Sequence, residues 1–194
     1  MRIGEEKRTS RETDITVSID LDGCGKTDIQ TGIGFFDHML TAFALHGGFN
    51  AEIMAKGDLE VDMHHTVEDA GIVLGRAFAS ALGDKSGIKR FGSFFVPMDE
   101  ALAFCSVDIS GRPYLVFEDA GLSQKNMPGF DTALVSEFFR AFAFNAGITL
   151  HLRIMYGNNA HHMVEAAFKA VARALSEAVS VDARPNSTKG GLGI

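Results

Sequence analysis

Four of the seven histidines in this 194-residue chain form two doublets, His64-His65 and His161-His162. Each doublet opens the same short pattern, His-His-x-Val-Glu, which ends at Glu68 in one case and Glu165 in the other. On an α-helix, residues three and four apart share a face. Glu68 therefore lies one turn beyond His64 and His65, and Glu165 one turn beyond His161 and His162. Adjacent imidazoles diverge by about 100° around a helix axis. One such helix can feed two different metal ions, with its carboxylate joining one of them. Imidazole and carboxylate without thiolate suit Mn, Fe, Zn or Ni.

The elements that must carry these groups repeat along the chain. After each doublet runs an apolar, alanine-rich helical pattern, GIVLGRAFASAL and FKAVARALSEAV. Before each doublet comes a strand-like alternation, FNAEIMA and ITLHLRI, then a turn at Gly57 or Gly157. Further upstream the stretches around His38 and Glu137 read as amphipathic helices ended by Gly48 and Gly147. Glu12, Asp20 and Gly23 align with Glu100, Asp108 and Gly111, on the strands DITVSIDLDG and ALAFCSVDISG. The chain thus reads as two copies of one unit, residues 4–88 and 89–180, each strands–helix–strand–helix and sharing one core. The tail 181–194, VDARPNSTKGGLGI, has no periodicity.

The repeat selects a ligand set. His38 has Glu137 as its image, so eight residues stand in matched positions: His38, His64, His65 and Glu68, with Glu137, His161, His162 and Glu165. Eight protein ligands suit two ions at four each, leaving six-coordinate ions open positions for substrate or water. His46 and His151 have no repeat partner and read as structural. His46 stands near a helix end, where a cation favours the dipole.

Composition narrows the function. With 46% hydrophobic and 22% charged residues the chain is of globular type, not disordered. No apolar run approaches the roughly 18 residues of a membrane span, and MRIGEEKRTS lacks the apolar stretch of a signal peptide. The two cysteines, Cys24 and Cys105, form no CxxC pair, which excludes a disulfide framework and an all-thiolate zinc site and makes the cytoplasm the default compartment. A net charge of −7 argues against nucleic acid and anionic membrane as partners.

The segments GIGFFDHML, DLEVDMHHTVEDAGI, FGSFFVPMDEAL, DISGRPYLV, NNAHHMVEAAFKAVARAL and STKG together resemble the imidazoleglycerol-phosphate dehydratase family of histidine biosynthesis, over essentially the whole chain. The resemblance implies an α+β fold of duplicated half-units, each a sheet backed by helices, like ribosomal protein S5 domain 2. It implies a lyase that removes water from D-erythro-imidazole glycerol phosphate to give imidazole acetol phosphate, with two Mn²⁺ per active site and a metal-bound imidazolate on the path. It implies a homo-oligomer of 24 subunits, built from trimers, with active sites at subunit interfaces. The metal ligands implied are the eight residues that the repeat selects; this chain has Glu137 where some members of the family have His. The family match places Glu12 as the acid/base group, with Asp99 as a second. For the substrate phosphate it points to Arg90, Arg112, Lys169, Ser187 and Lys189, and the tail is expected to close over that phosphate. Two other classes compete. A binuclear phosphatase would use two metals, but the matched set pairs imidazoles with glutamates and holds no aspartate of the D-x-D or D-x-H kind that often bridges them. A metal-storage or S5-like RNA-binding module fits poorly with the −7 charge and the Arg/Lys group.

Overall fold

A computed structural model describes residues 1–183. The first half runs β1 (Ile3–Thr9), β2 (Thr13–Asp20), β3 (Thr27–Gln30), α1 (Gly34–Gly47), β4 (Asn50–Gly57) and α2 (His64–Leu82). The second runs β5 (Phe91–Met98), β6 (Ala101–Asp108), β7 (Tyr114–Glu118), α3 (Leu134–Ala146), β8 (Thr149–Tyr156) and α4 (Ala160–Ala178), with a short 3-10 turn at Leu122–Gln124. Each half makes one four-stranded sheet. The orders are β1-β2-β4-β3 and β5-β6-β8-β7, with the last pair of each parallel and the others antiparallel. The fold is α+β, with two helix-backed half-units in matched order.

Alternation explains the central strands. In β2 the buried residues are Thr13, Ile15, Val17 and Ile19, and in β6 they are Ala101, Ala103, Cys105 and Val107; the residues between face outward. The sequence pattern is weakest at β1, IGEEKRT, an edge strand whose outer residues are charged. Charge on an edge blocks pairing with other chains, and it also hides the strand from a hydrophobic scan.

Helices α1 and α2 cover the first sheet, and α3 and α4 the second. The halves meet helix on helix, α1 against α4 and α2 against α3. Phenylalanines fill the seam: Phe36 meets Phe138 at 5.3 Å between ring centres, Phe78 meets Phe142 at 5.6 Å, and Phe138 stacks on Phe168 at 5.2 Å. All five are buried, and a fully buried side chain of this kind contributes about 1.5–3 kcal/mol. Gly71 and Gly75 of α2 let it close on α3: a Cβ there would stand 2.7 Å from the carbonyl oxygen of Phe138 and of Phe142, respectively. Tight seating sets the axial position of α2, and so of the histidines at its start.

Candidate active site

Both doublets occupy helix N-termini. The Asp62 carboxylate accepts from the His64 backbone N–H at 2.7 Å, and the Asn159 side chain accepts from that of His161 at 2.9 Å, so each doublet lies in the first turn of its helix. The two rings of a doublet are nearly perpendicular, 88° for His64 and His65 and 79° for His161 and His162. Each doublet therefore addresses two different places.

The first ring of each doublet turns along its own helix. His161 Nε2 lies 3.2 Å from Glu165 Oε2, and His64 Nε2 lies 3.6 Å from Glu68 Oε2. At the second doublet a third ligand arrives from the other half: His38 of α1 puts Nε2 3.5 Å from the same Glu165 oxygen. Among the described residues, His38, His161 and Glu165 are the one group of three or more His, Cys, Asp or Glu whose ligand atoms all fall within 4.8 Å of one another. Two imidazoles and a nearly buried carboxylate are a donor set that fits a borderline or hard divalent ion. Packing of α1 on α4 makes this possible, because His38 and His161 lie 123 residues apart in the chain. Phe35 sets its ring against that of His161 at 5.1 Å, edge to face, and holds the imidazole's plane.

The image group is less closed. Glu137, the counterpart of His38, lies 3.9 Å from Arg140 Nη1, one turn along α3, and does not join His64 and Glu68 in a comparable group. The salt bridge to Arg140 draws its carboxylate along its own helix.

The second ring of each doublet faces a strand turn. His65 Nδ1 lies 3.0 Å from Asp58 Oδ2, and its Nε2 lies 3.8 Å from Glu12 Oε1. His162 Nδ1 lies 2.7 Å from Glu100 Oε2, and its Nε2 lies 3.8 Å from Asp99 Oδ2. Glu12 and Asp99 therefore hold corresponding places beside the second histidine of each doublet. The Asp58 hydrogen bond raises the pKa of His65, and the Glu100 hydrogen bond raises that of His162. Glu100 is held at about 2 by His162 and by the backbone N–H groups of Asn159 and Asn158. Asp58 and Glu100 are absent from the candidates drawn from the sequence. The repeat held the signal for Glu100, since it is the aligned image of Glu12.

Lys169 lies against the metal-type cluster. Its ammonium is 2.5 Å from Glu165 Oε1 and 3.8 Å from Met98 Sδ, and its side chain is largely buried. Burial raises the pKa of Glu165, but the hydrogen bond and charge of Lys169, together with His38, outweigh it and hold the carboxyl below its usual value. His46 departs from the dipole expectation: burial first, then Lys169 and Arg173, lower its pKa and favour the neutral ring.

The two arginines gather elsewhere. Arg90 grips Asp108 through Nε at 2.6 Å and Nη2 at 3.1 Å, and Arg112 reaches the same carboxylate at 3.2 Å. The Asp108 hydrogen bond raises the Arg90 pKa. Asp108 ends β6, whereas Asp99 and Glu100 precede its start. At about 3.3 Å per residue the strand holds its own two ends roughly 23 Å apart. The structure thus brings the second histidine doublet and the arginine pair to opposite ends of the second sheet. Ser187 and Lys189 lie outside the described residues.

Fold and site together define a class: a duplicated α+β enzyme with imidazole and carboxylate groups gathered where its two long helices begin. A sequence model of the family described as imidazoleglycerol-phosphate dehydratase matches residues 31–175. The chain is 59% identical over 193 residues to the imidazoleglycerol-phosphate dehydratase of Thermoanaerobacter pseudethanolicus, covering 98% of this chain and 99% of that protein. It is 60% identical to that of Clostridium botulinum strain Langeland, with 98% of each covered. Among solved structures, the Staphylococcus aureus enzyme superposes with a TM-score of 0.83 at 45% identity, over 92% of this chain and 99% of the other. The Pyrococcus furiosus enzyme, solved in complex with (S)-C348, gives 0.82 at 41% identity, over 96% and 99%. The chain belongs to the imidazoleglycerol-phosphate dehydratase family.

Proposed function

We propose that this protein dehydrates D-erythro-imidazole glycerol phosphate to imidazole acetol phosphate, in the cytoplasm, with two Mn²⁺ per active site. The observation that carries the metal reading is the convergence of His38, His161 and Glu165 from the two halves. His64 and Glu68 would supply a matching pair, and His65, His162 and Glu137 would complete the eight ligands. When bound, the metals supply Lewis acidity and a template for the substrate's imidazole ring.

The chain's own residues handle the protons. One hydrogen must leave carbon and one hydroxyl must leave the carbon next to the ring. Glu12 accepts the carbon-bound proton, and an acid group, Glu12 in its protonated form or Asp99, gives a proton to the departing hydroxyl so that water leaves. The resulting enol takes a proton at carbon, gives up the proton on its oxygen and becomes the ketone. Arg90 and Arg112 bind the phosphate. Asp108 holds both guanidinium groups in place before substrate arrives. Lys169, Ser187 and Lys189 are the further phosphate contacts.

The roughly 23 Å along β6 supports an active site shared between copies of the chain. One subunit's arginines would meet another's histidines, in the 24-subunit assembly that the family resemblance implies. The test is removal of metal by chelation, then addition of Mn²⁺, with imidazole glycerol phosphate as substrate. Dehydration should vanish and return. If Mn²⁺ restores none, this reading fails.

A further inference from the structure

The geometry points to Asp69 as a positioning residue that acts through Glu12, by clipping the β1–β2 turn to the helix that carries the first histidine doublet. This rests on the reading of Glu12 as the acid/base group. Asp69 follows Glu68 on α2 but turns the other way, into the protein, where it is buried. There it accepts from the Arg8 guanidinium of β1, and from the Thr13 hydroxyl of β2 at 2.5 Å. Thr13 is itself buried, and it is the residue after Glu12. Arg8 and Thr13 bracket the turn of Ser10, Arg11 and Glu12 from either side.

The rest of the turn depends on these two anchors. Ser10 Oγ accepts from the backbone N–H of Glu12 at 3.1 Å and of Thr13 at 3.0 Å, and the Glu12 carbonyl accepts from Asp58 N at 3.0 Å. These contacts shape the turn, but they connect it only to itself and to the end of β4. Apart from the 3.8 Å approach of Glu12 itself to His65, Asp69 is the residue of α2 that holds the turn among the described residues, so it sets how far the Glu12 carboxylate stands from His65. The second half solves the same problem differently. The image of Asp69 is Ala166, and there Glu100 itself runs from the strand turn to the start of α4, accepting from Asn158 N and Asn159 N. In the first half a buried carboxylate on the helix makes the tie instead. Outer-shell partners that orient metal ligands typically change activity or metal affinity ten- to a hundredfold when mutated, and a shift near 1 Å in a reacting group can cost about a hundredfold in rate.

Thr13→Val keeps the shape of the side chain and removes the hydroxyl that Asp69 accepts from. Thr13→Ser keeps that hydroxyl, and Asp69→Asn keeps an acceptor but loses the charge that Arg8 meets. In the Mn²⁺-loaded full-length protein, Thr13→Val and Asp69→Asn should each lower kcat by about ten- to a hundredfold, with KM within about twofold and metal content unchanged. Thr13→Ser should restore most of the loss. Hydrogen exchange at the amides of Glu12 and Thr13 should quicken in Thr13→Val, while α2 keeps its protection. The proposal is overturned if kcat stays at the wild-type value, if Thr13→Ser is as impaired as Thr13→Val, if the loss follows metal content, or if exchange in the turn is unchanged. Failure of the underlying reading looks different. In that case the wild type does not dehydrate the substrate, or Glu12→Gln remains fully active, while the exchange measurement still reports on the clip.

Discussion

The seam between α2 and α3 supports a prediction with a definite size. Alanine at position 71 would place its Cβ 2.7 Å from the Phe138 carbonyl oxygen, and alanine at 75 would place its Cβ 2.7 Å from that of Phe142. Ordinary contact begins near 3.4 Å, so either substitution forces the helices apart by roughly 0.7 Å. Overpacking of this kind costs about 2 kcal/mol, and each Gly→Ala exchange in a helix returns about 1 kcal/mol of propensity. Each single variant should then lose about 1 kcal/mol, or roughly 3 °C in Tm for a chain of this length. The double variant is the informative one. A single separation of α2 from α3 relieves both contacts, so the strain is incurred once while the propensity gain counts twice. Gly71→Ala/Gly75→Ala should melt within about 2 °C of wild type, where independent effects would put it about 6 °C lower. Thermal unfolding followed by circular dichroism, at fixed protomer and metal concentration, gives the comparison. A double variant that melts near the sum of the singles would refute rigid-body separation of the two helices.

Two further outcomes concern the site. Glu165→Gln removes the charge shared by His38, His161 and Lys169, and Mn²⁺ bound per subunit, measured by equilibrium dialysis and elemental analysis, should fall; the Tm of the metal-free protein should fall as well, because the largely buried Lys169 loses its counter-charge, and unchanged stoichiometry would remove Glu165 from the ligand set. The second outcome is a pH dependence of the metal-free protein. His65 and His162 have folded pKa values raised by Asp58 and Glu100, so their contribution is fully present below the unfolded value of about 6.5 and is lost as pH rises through the folded values. The same His162–Glu100 pair requires the Glu100 carboxylate, so that part is present above the unfolded value near 4.5 and is lost as pH falls toward about 2. Tm should therefore peak between about pH 4.5 and 6.5 and decline above it, and Glu100→Gln should flatten the decline. A wild-type Tm that keeps rising from pH 6 to 9 would contradict these pairings.

Local rules explain why much of this protein is legible before folding. His-His-x-Val-Glu is read by helix geometry alone, so the approach of His64 to Glu68 and of His161 to Glu165 is settled within one turn of one helix. The duplicated order of elements is equally plain, because strand alternation and helix periodicity recur with matched glycines at 48 and 147. The proposed eight-ligand set and the proposed role of Glu12 rest on the repeat and the family resemblance, both properties of residue order.

Distances across the fold needed the tertiary structure. Nothing local says that His38 meets His161 and Glu165 while its image Glu137 leans toward Arg140; helix packing at the seam decides the first and a neighbouring guanidinium the second. Asp69 looks like one more surface acid at the end of a charged pair, and only the crossing of α2 over β1 and β2 turns it inward to Arg8 and Thr13. The separation of Arg90 and Arg112 from His161 and His162 follows from the length of β6 once the sheet order is known, since a strand is too stiff to fold its two ends together. Sequence determined which groups this protein has and how each sits on its own element. Tertiary packing decided which of them can meet within one chain, because contact between distant residues depends on how elements stack and not on their order.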